Sequence, residues 1–270
     1  MPGDHSRLFP PSSSKRWLSC FASAILNAEA PRDESGPEAQ QGTLAHYVCE
    51  ATIRAWWLYL QGEIDDVSLT RTQSLYGGTE GTARVDEIMV EHTQGYVDAI
   101  TEDAAQPGAK VFIEQRIDYS RALGLPYGCA FGSGDAIVYL PEQRLLRAYD
   151  FKYGKWEVEP EHNTQVLCYL LAALEKFGHL FDVKFCEIVI WQPRVEGRKN
   201  PRVSWEVTPE QVTAFGTWAR GKARKVLTAE EYYVAGGQEH IPINLFNATD
   251  DNCQFCRATK CKARRDLIFK

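Results

Sequence analysis

The stretch GSGDAIVYLPEQRLLRAYDFKYGK, from Gly132 to Lys155, has the pattern of a β-hairpin. Two runs rich in β-branched and aromatic residues flank a short Pro-Glu-Gln turn. Because side chains alternate between the two faces of a strand, Asp150 and Lys152 share one face. The register of the hairpin then brings Asp135, which opens the first strand, close to this pair.

Two carboxylates and an ammonium group on one face are costly to desolvate unless a bound ion completes the set. Oxygen ligands favour Mg²⁺ or Mn²⁺. Such a site suits metal-assisted phosphodiester hydrolysis: Asp135, Asp150 and the Phe151 carbonyl hold the metal, and Lys152 orients or deprotonates the attacking water or offsets charge at the phosphate. The alternative is a surface hairpin with solvated side chains, since Asp-x-Lys alone is a common pattern.

Asp135 followed by Asp150-Phe-Lys152-Tyr-Gly resembles the core motif of the PD-(D/E)XK nuclease superfamily, and within it the RecB-type branch. The segment Gly-Thr-Leu-Ala-His46 resembles the G-T-x-x-H helix of that branch, and the resemblance implies that His46 is a further metal ligand. Glu50 lies one helical turn away and is interpreted as a neighbour of the ligands. The alternative for His46 is a partly buried, hydrogen-bonded histidine on an apolar helix.

Two more positions follow from the same resemblance. Gln165-x-x-x-Tyr169 matches the Q-x-x-x-Y helix after the catalytic lysine, and implies that this amide and phenol position DNA phosphate or the lysine. Glu114 lies in a strand before the hairpin, where RecB-type enzymes often carry a glutamate that faces the metal. The alternative for Gln165 and Tyr169 is ordinary helix surface with a core tyrosine. The alternative for Glu114 is a salt bridge at the sheet edge.

Three cysteines, Cys253-x2-Cys256-x4-Cys261, lie in a polar, loop-like stretch with no core to fill. This spacing supplies three thiolates to one metal centre, and spacing alone favours structural zinc with Cys20 or His240 as the fourth ligand. The cysteines also resemble the four-cysteine staple of AddB-type and CRISPR-associated RecB-like nucleases. That resemblance implies a [4Fe–4S] cluster with Cys20 as the fourth ligand, which ties the two ends of the chain together.

The composition is ordinary for a globular protein, with 270 residues, 44% hydrophobic and 24% charged. No apolar run reaches the ~20 residues that span a bilayer, and no signal-peptide segment is present, so we expect a cytoplasmic protein without membrane contact. The net charge of −6 does not indicate nucleic-acid binding, although a local basic track would suffice. Three candidate tracks occur: Arg194/Arg198/Lys199/Arg202, Arg220/Lys222/Arg224/Lys225 and Lys260/Lys262/Arg264/Arg265. Four other cysteines are predicted to pack as small buried hydrophobes: Cys49, Cys129, Cys168 and Cys186.

The hydrophobic periodicity predicts helices, then three strands, a helix and one or two further strands. The predicted helices are 12–28, 43–60, 84–102, 162–177 and 208–227, and the strands outside the hairpin are 110–119, 183–191 and 203–207. This order is typical of a mixed α/β restriction-endonuclease-like core. We predict a single nuclease domain, 1–270, with N-terminal helices at 13–60, a catalytic core at 110–191 and a C-terminal helix with the cysteines at 208–265.

The resemblance implies a divalent-metal-dependent DNA exonuclease that processes DNA ends for recombination or repair. Family members are often encoded by phages or prophages. The chain has no G-x-x-x-x-G-K-[ST] motif, so it would act alone or with a separate annealing protein or helicase. Two alternatives stay open: a DNA-binding module on a nuclease scaffold that does not cut, and a structural cysteine–metal protein whose hairpin carboxylates are incidental.

Overall fold

The computed structural model describes residues 6–31 and 36–268. The strands are β1 (Thr79–Glu80), β2 (Ala83–Arg84), β3 (Lys110–Asp118), β4 (Phe131–Leu140), β5 (Leu145–Phe151), β6 (Phe185–Trp191) and β7 (Arg202–Val207). A five-stranded mixed sheet, ordered β3-β4-β5-β6-β7, forms the centre of the fold, with β5 and β6 parallel and the other neighbours antiparallel. Strands β1 and β2 form a separate two-stranded ribbon. The expected mixed α/β architecture is confirmed.

Helices cover both faces of this sheet. They are α1 (Ser14–Trp17), α2 (Phe21–Glu29), α3 (Pro37–Leu60), α4 (Glu87–Ala104), α5 (Thr164–Phe177), α6 (Pro209–Gly236), α7 (Asp250–Gln254) and α8 (Lys262–Ile268). One apolar cluster joins α2, α5 and α6 to the sheet, and a second joins α3 and α4 to its opposite face. Alternation along β4 explains the two layers, since Ile137 belongs to the first cluster and Val138 to the second.

The hairpin of β4 and β5 has the expected register. Ala136 pairs with Tyr149, so Asp135 and Asp150 occupy the next positions along the same ladder. The β5–α5–β6 unit is a parallel crossover, and it places the beginning of α5 beside the carboxyl end of β5. Asn163 caps α5 by accepting hydrogen bonds from Gln165 N (3.1 Å) and Val166 N (3.2 Å). The cap therefore fixes the first turn of α5 next to the paired carboxylates.

Several helix boundaries differ from the sequence prediction. Helix α3 begins at Pro37 rather than at Thr43, whose hydroxyl instead bonds the Ala39 carbonyl from within the helix (3.0 Å). Proline at the first helical position is the stronger start signal, because its missing N–H has no intrahelical partner there. Helix α6 continues beyond Leu227 to Gly236, and the left-handed Gly237 (φ 74°) then ends it.

The predicted helix 12–28 is interrupted. The Ser19 hydroxyl bonds the Lys15 and Arg16 carbonyls, which competes with continuation of α1, and Cys20 takes an extended conformation before α2 begins. The prediction that Cys129 is buried is also wrong, because it lies exposed in the surface loop between β3 and β4. Among the helices in the described ranges, none is both long and apolar enough to cross a membrane.

Candidate active site

Three side chains that are far apart in sequence meet at one end of the sheet. His46 comes from α3, Glu114 from β3 and Asp135 from β4, and their ligand atoms all lie within 4.8 Å of one another. His46 Nδ1 is 3.5 Å from Asp135 Oδ2. The His46 ring packs edge-on against Phe151 with ring centroids 5.4 Å apart. Two carboxylates and an imidazole therefore present their donor atoms to one small volume.

Glu114 has an unusual backbone for a residue inside a strand. Ile113 pairs with Ala136 and Gln115 with Gly134, so Glu114 lies opposite Asp135. Its φ is +45°, a conformation that generally costs a non-glycine residue about 1–3 kcal/mol. Burial, with the charges of Asp135 and Glu50, raises the pKa of Glu114 to about 8. Backbone strain and an unfavourable carboxylate at one position are typical of a functional site.

Asp150 and Lys152 form the centre of a hydrogen-bonded network beside this group. Lys152 Nζ donates to Asp150 Oδ1 (3.1 Å) and to Gln165 Oε1 (3.0 Å). The Gln165 amide nitrogen in turn donates to Asp150 Oδ1 (3.1 Å) and to the Tyr169 hydroxyl (2.9 Å). Gln165 thus contacts both members of the Lys152–Asp150 pair, and Tyr169 is connected to the pair through Gln165. Neither side chain is free on the helix surface.

The two charged groups of this pair influence each other strongly. Burial raises the pKa of Asp150, and the Lys152 ammonium group opposes this rise while Asp135 adds to it. For Lys152, burial lowers the pKa, but Asp150 and Asp135 more than offset it, so the pKa lies above its ordinary value. Lys152 is therefore positively charged at neutral pH.

Asp135 connects the two halves of the site. Its Oδ2 accepts a hydrogen bond from the backbone N–H of Phe151 (2.7 Å), in addition to facing His46. Asp150 lies outside the group of three whose ligand atoms are within 4.8 Å, and its nearest charged partner is Lys152. Metal binding by Asp150 and by the Phe151 carbonyl thus stays a prediction.

The donor set fits a divalent cation. Asp150 Oδ2 is 2.8 Å from Lys152 Nζ, yet in the part of the chain that the structure describes this buried oxygen accepts no hydrogen bond of proper geometry. Glu114 also faces Asp135, and its raised pKa of about 8 means that this carboxyl holds a proton at neutral pH. A hard cation such as Mg²⁺ or Mn²⁺, bound through the carboxylate oxygens of Glu114 and Asp135, would replace that proton.

Arg54 is a site neighbour that the sequence analysis did not identify. Its Nε donates to Glu50 (2.8 Å) and its Nη2 to the Ile113 carbonyl (3.2 Å), next to Glu114. Its positive charge opposes the rise in the pKa of Glu114. The i, i+4 spacing from Glu50 was the available signal, because such pairs face each other on a helix.

The four cysteines singled out in the sequence line one small cavity between α2 and the C-terminal segment. Cys20 Sγ accepts a hydrogen bond from Asn247 N (3.3 Å), and Cys256 Sγ accepts one from Asn27 Nδ2 (3.1 Å). Within residues 6–31 and 36–268, no three of these sulfurs lie within 4.8 Å of one another. The fold therefore places the four thiols around one cavity, without the close spacing of ligands around a single ion. The candidate zinc ligand His240 instead hydrogen-bonds the Gly236 carbonyl through Nδ1 (2.7 Å).

The first candidate basic track is largely occupied by contacts within the protein. Arg194 donates to Gln41 (3.0 Å), Arg198 pairs with Glu157, and Arg202 pairs with Glu187 (2.9 Å). In the second track, the ammonium groups of Lys222 and Lys225 lie over the Phe21 ring at 5.7 and 5.1 Å. The first track is therefore not a row of free cations.

The chain matches, over residues 5–270, the model of the family described as "Protein of unknown function (DUF2800)", and it belongs to that family. Its structure is similar to an alkaline exonuclease from Laribacter hongkongensis, at 13% identity and TM-score 0.33, over 82% of this chain and 94% of that chain. It is similar to SSO0001 at 11% identity and TM-score 0.34, over 81% and 85%. A phage-related exonuclease from Haemophilus somnus 129PT matches at 13% identity and TM-score 0.28, over 79% and 95%. At these TM-scores the likenesses carry no functional inference, and the chemistry is argued from the side chains.

Proposed function

We propose that this DUF2800 protein is a divalent-metal-dependent nuclease that hydrolyses phosphodiester bonds of DNA. The observation that carries the proposal is the convergence of His46, Glu114 and Asp135, beside a lysine that is hydrogen-bonded to a buried aspartate. Both features are energetically expensive unless a cation and an anionic substrate complete them.

In this proposal Mg²⁺ or Mn²⁺ is held by His46, Glu114 and Asp135, with Asp150 adjacent. The bound cation supplies Lewis-acid polarisation of the scissile phosphate and lowers the pKa of a water molecule. The Phe151 N–H keeps the Asp135 carboxylate oriented through its 2.7 Å hydrogen bond.

Lys152 acts as an electrostatic partner of the phosphate in this scheme. Its raised pKa keeps it protonated, which favours a role in offsetting negative charge over a role as general base. Asp150 and Gln165 hold the ammonium group at 3.1 and 3.0 Å, and Tyr169 holds Gln165. The network therefore fixes the charge before substrate arrives, which lowers the reorganisation needed in the transition state.

Action on DNA ends is the finer part of the proposal, and it rests on the resemblance of the motifs to RecB-type nucleases. Under it the protein is an exonuclease in recombination or repair, encoded by a phage or prophage and working alone or with an annealing protein or helicase. A location in the cytoplasm belongs to the same set of proposals.

The test is degradation of end-labelled linear DNA, single- and double-stranded, with Mg²⁺ or Mn²⁺. We expect metal-dependent release of label by wild type, lowered at least ~100-fold in Lys152→Ala. Lys184→Ala is the matched control, because this lysine directly precedes β6, at the end of the strand away from Lys152, and pairs with Asp182 (3.9 Å). Release of mononucleotides from the label indicates an exonuclease, whereas internal fragments indicate an endonuclease.

Two outcomes would overturn the assignment. Cutting that survives Lys152→Ala places the active site elsewhere. If the protein binds DNA but does not cut it under any metal condition, the non-cleaving binding module replaces the nuclease.

We also propose that Cys20, Cys253, Cys256 and Cys261 hold a [4Fe–4S] cluster. The four cysteines line one cavity, and two of their sulfurs, those of Cys20 and Cys256, accept N–H hydrogen bonds, as cluster thiolates commonly do. The choice of a cluster over tetrahedral zinc rests on the resemblance of the cysteine pattern to the four-cysteine staple of RecB-like nucleases. The centre would join α2 to the C-terminal segment.

Anaerobic purification followed by iron, sulfide and zinc analysis tests this centre. About four iron atoms per chain, lost in Cys256→Ser but kept in the exposed-thiol control Cys129→Ser, is the expected result. One zinc atom per chain would replace the cluster by a structural zinc site. No metal in protein that stays folded would remove the centre altogether.

A further inference from the structure

The connection between β5 and α5, residues 152–163, holds a large apolar side chain in solvent. Trp156 is 79% exposed, only four positions after Lys152. Single exposed apolar residues are common, so exposure alone assigns no role. The surroundings of this tryptophan are what distinguish it.

The backbone that carries Trp156 is fixed from below by a buried side chain. Gln192, 1% exposed, donates from Nε2 to the Trp156 carbonyl (3.1 Å) and accepts from Val158 N at Oε1 (3.1 Å). Arg198 donates to the same Oε1 (3.1 Å) and pairs with Glu157. A buried amide with three protein partners thus holds both residues that flank Glu157, and the indole is presented on an ordered backbone.

The same end of β6 also supports the backbone of Lys152. Lys152 N donates to the carbonyl of Trp191 (2.9 Å), the residue before Gln192. The end of β6 therefore supports the start and the middle of the connection at once. Trp156 and Lys152 therefore belong to one short segment whose backbone is hydrogen-bonded to the end of β6.

Charges of both signs flank Trp156. Lys155 directly precedes it and is exposed, Glu157 is paired with Arg198, and Glu159 and Glu161 follow at alternate positions and are exposed. The attraction and repulsion of a phosphate partly cancel there, so the aromatic ring is the distinctive feature of this surface. The face of a nucleobase is neutral and stacks on an aromatic ring whatever its sequence.

We propose that Trp156 stacks on an unpaired nucleobase of the DNA strand engaged at the site, and so contributes to holding a frayed or single-stranded end. The inference rests on the proposed nuclease function. Because the backbone is already held, binding has to order only the side-chain rotamer of the indole, which is the physical advantage of the clamp.

The test uses single-stranded oligonucleotides that carry 2-aminopurine near the end, with binding measured in the Lys152→Ala background. We expect Trp156→Ala to weaken binding roughly 5- to 150-fold and to abolish quenching of the 2-aminopurine, while Trp156→Phe keeps most of both. Tyr127→Ala is the matched control, since Tyr127 is 89% exposed on a different loop and should bind as the parent does. On an oligonucleotide with abasic sites at the end, Trp156→Ala and its parent should bind equally.

Equal affinity of Trp156→Ala and its parent for normal DNA would overturn the inference. So would a loss of affinity on abasic DNA as large as the loss on normal DNA, because Trp156 would then have a structural role or contact a protein partner. These results are distinct from failure of the nuclease proposal. That failure is seen in cleavage and not in binding: wild type does not cut DNA under any metal condition, or cutting survives Lys152→Ala.

Discussion

Replacing Glu114 by glutamine tests the candidate metal site of His46, Glu114 and Asp135 through the free energy of unfolding, without any assay of activity. The pKa of Glu114 is raised from 4.5 to about 8, chiefly by burial and by Asp135. One pKa unit corresponds to about 1.4 kcal/mol, so ionising this carboxyl in the metal-free fold costs up to about 5 kcal/mol relative to the unfolded chain. Because the folded pKa is the higher one, this contribution to stability is present below pH 4.5 and is lost as the pH rises to 8.

Glutamine cannot ionise, so the Glu114→Gln protein lacks this loss. In EDTA, we expect wild type to lose about 2–5 kcal/mol of unfolding free energy relative to Glu114→Gln between pH 4.5 and pH 8. Urea denaturation at several pH values measures the difference, and titrating groups that do not interact with Glu114 cancel because both proteins contain them. Glu231→Gln, a change on the exposed surface of α6, should follow wild type.

Added Mn²⁺ should restore wild type at pH 8 and have little effect on Glu114→Gln, since the cation binds the carboxylate and replaces the proton. If the difference in unfolding free energy between wild type and Glu114→Gln stays constant from pH 4.5 to 8, the pKa of Glu114 is not raised in the folded protein. The assignment of Glu114 as a buried metal ligand beside Asp135 would then lose its main support.

Three further outcomes follow from the same geometry. His46→Ala should raise the Mn²⁺ concentration for half-maximal cleavage at least ~10-fold, with partial recovery at high Mn²⁺, because one ligand is lost; unchanged metal dependence would remove His46 from the site. Gln165→Leu should lower kcat roughly 10-fold or more with little change in KM, since Lys152 and Asp150 each lose a hydrogen bond at 3.0–3.1 Å; an effect on KM alone would point to substrate contact instead. At limiting Mg²⁺, cleavage should rise with pH up to about 8 as Glu114 ionises, and more Mg²⁺ should move the rise to lower pH; a profile that is insensitive to Mg²⁺ concentration would contradict competition between metal and proton.

Local patterns in the sequence predicted the hairpin and the four side chains that the fold brings together around Asp150. Alternation along a strand places Asp150 and Lys152 on one face, and the helical spacing of Gln165 and Tyr169 places them one turn apart. Both spacings are set by backbone geometry within one element. The hydrogen-bonded network around Asp150 therefore consists of residues that the sequence analysis had singled out.

The cysteines were found by composition, since a polar stretch gave them no core to fill. Their spacing could not show where Cys20 lies, and the fold brings it to the same cavity as the other three. The start of α3 was predicted wrongly because two local signals competed, and Pro37 rather than Thr43 begins the helix.

Glu114 shows most clearly what the tertiary structure decided. The sequence left a metal-facing role and an edge salt bridge evenly balanced, because the register of β3 against β4 is set across a long loop and by packing on both faces of the sheet. That register puts Glu114 opposite Asp135, and α3 brings His46 to the same point. Spacing within an element is encoded locally, whereas the meeting of three elements depends on how each buries its apolar face against the sheet.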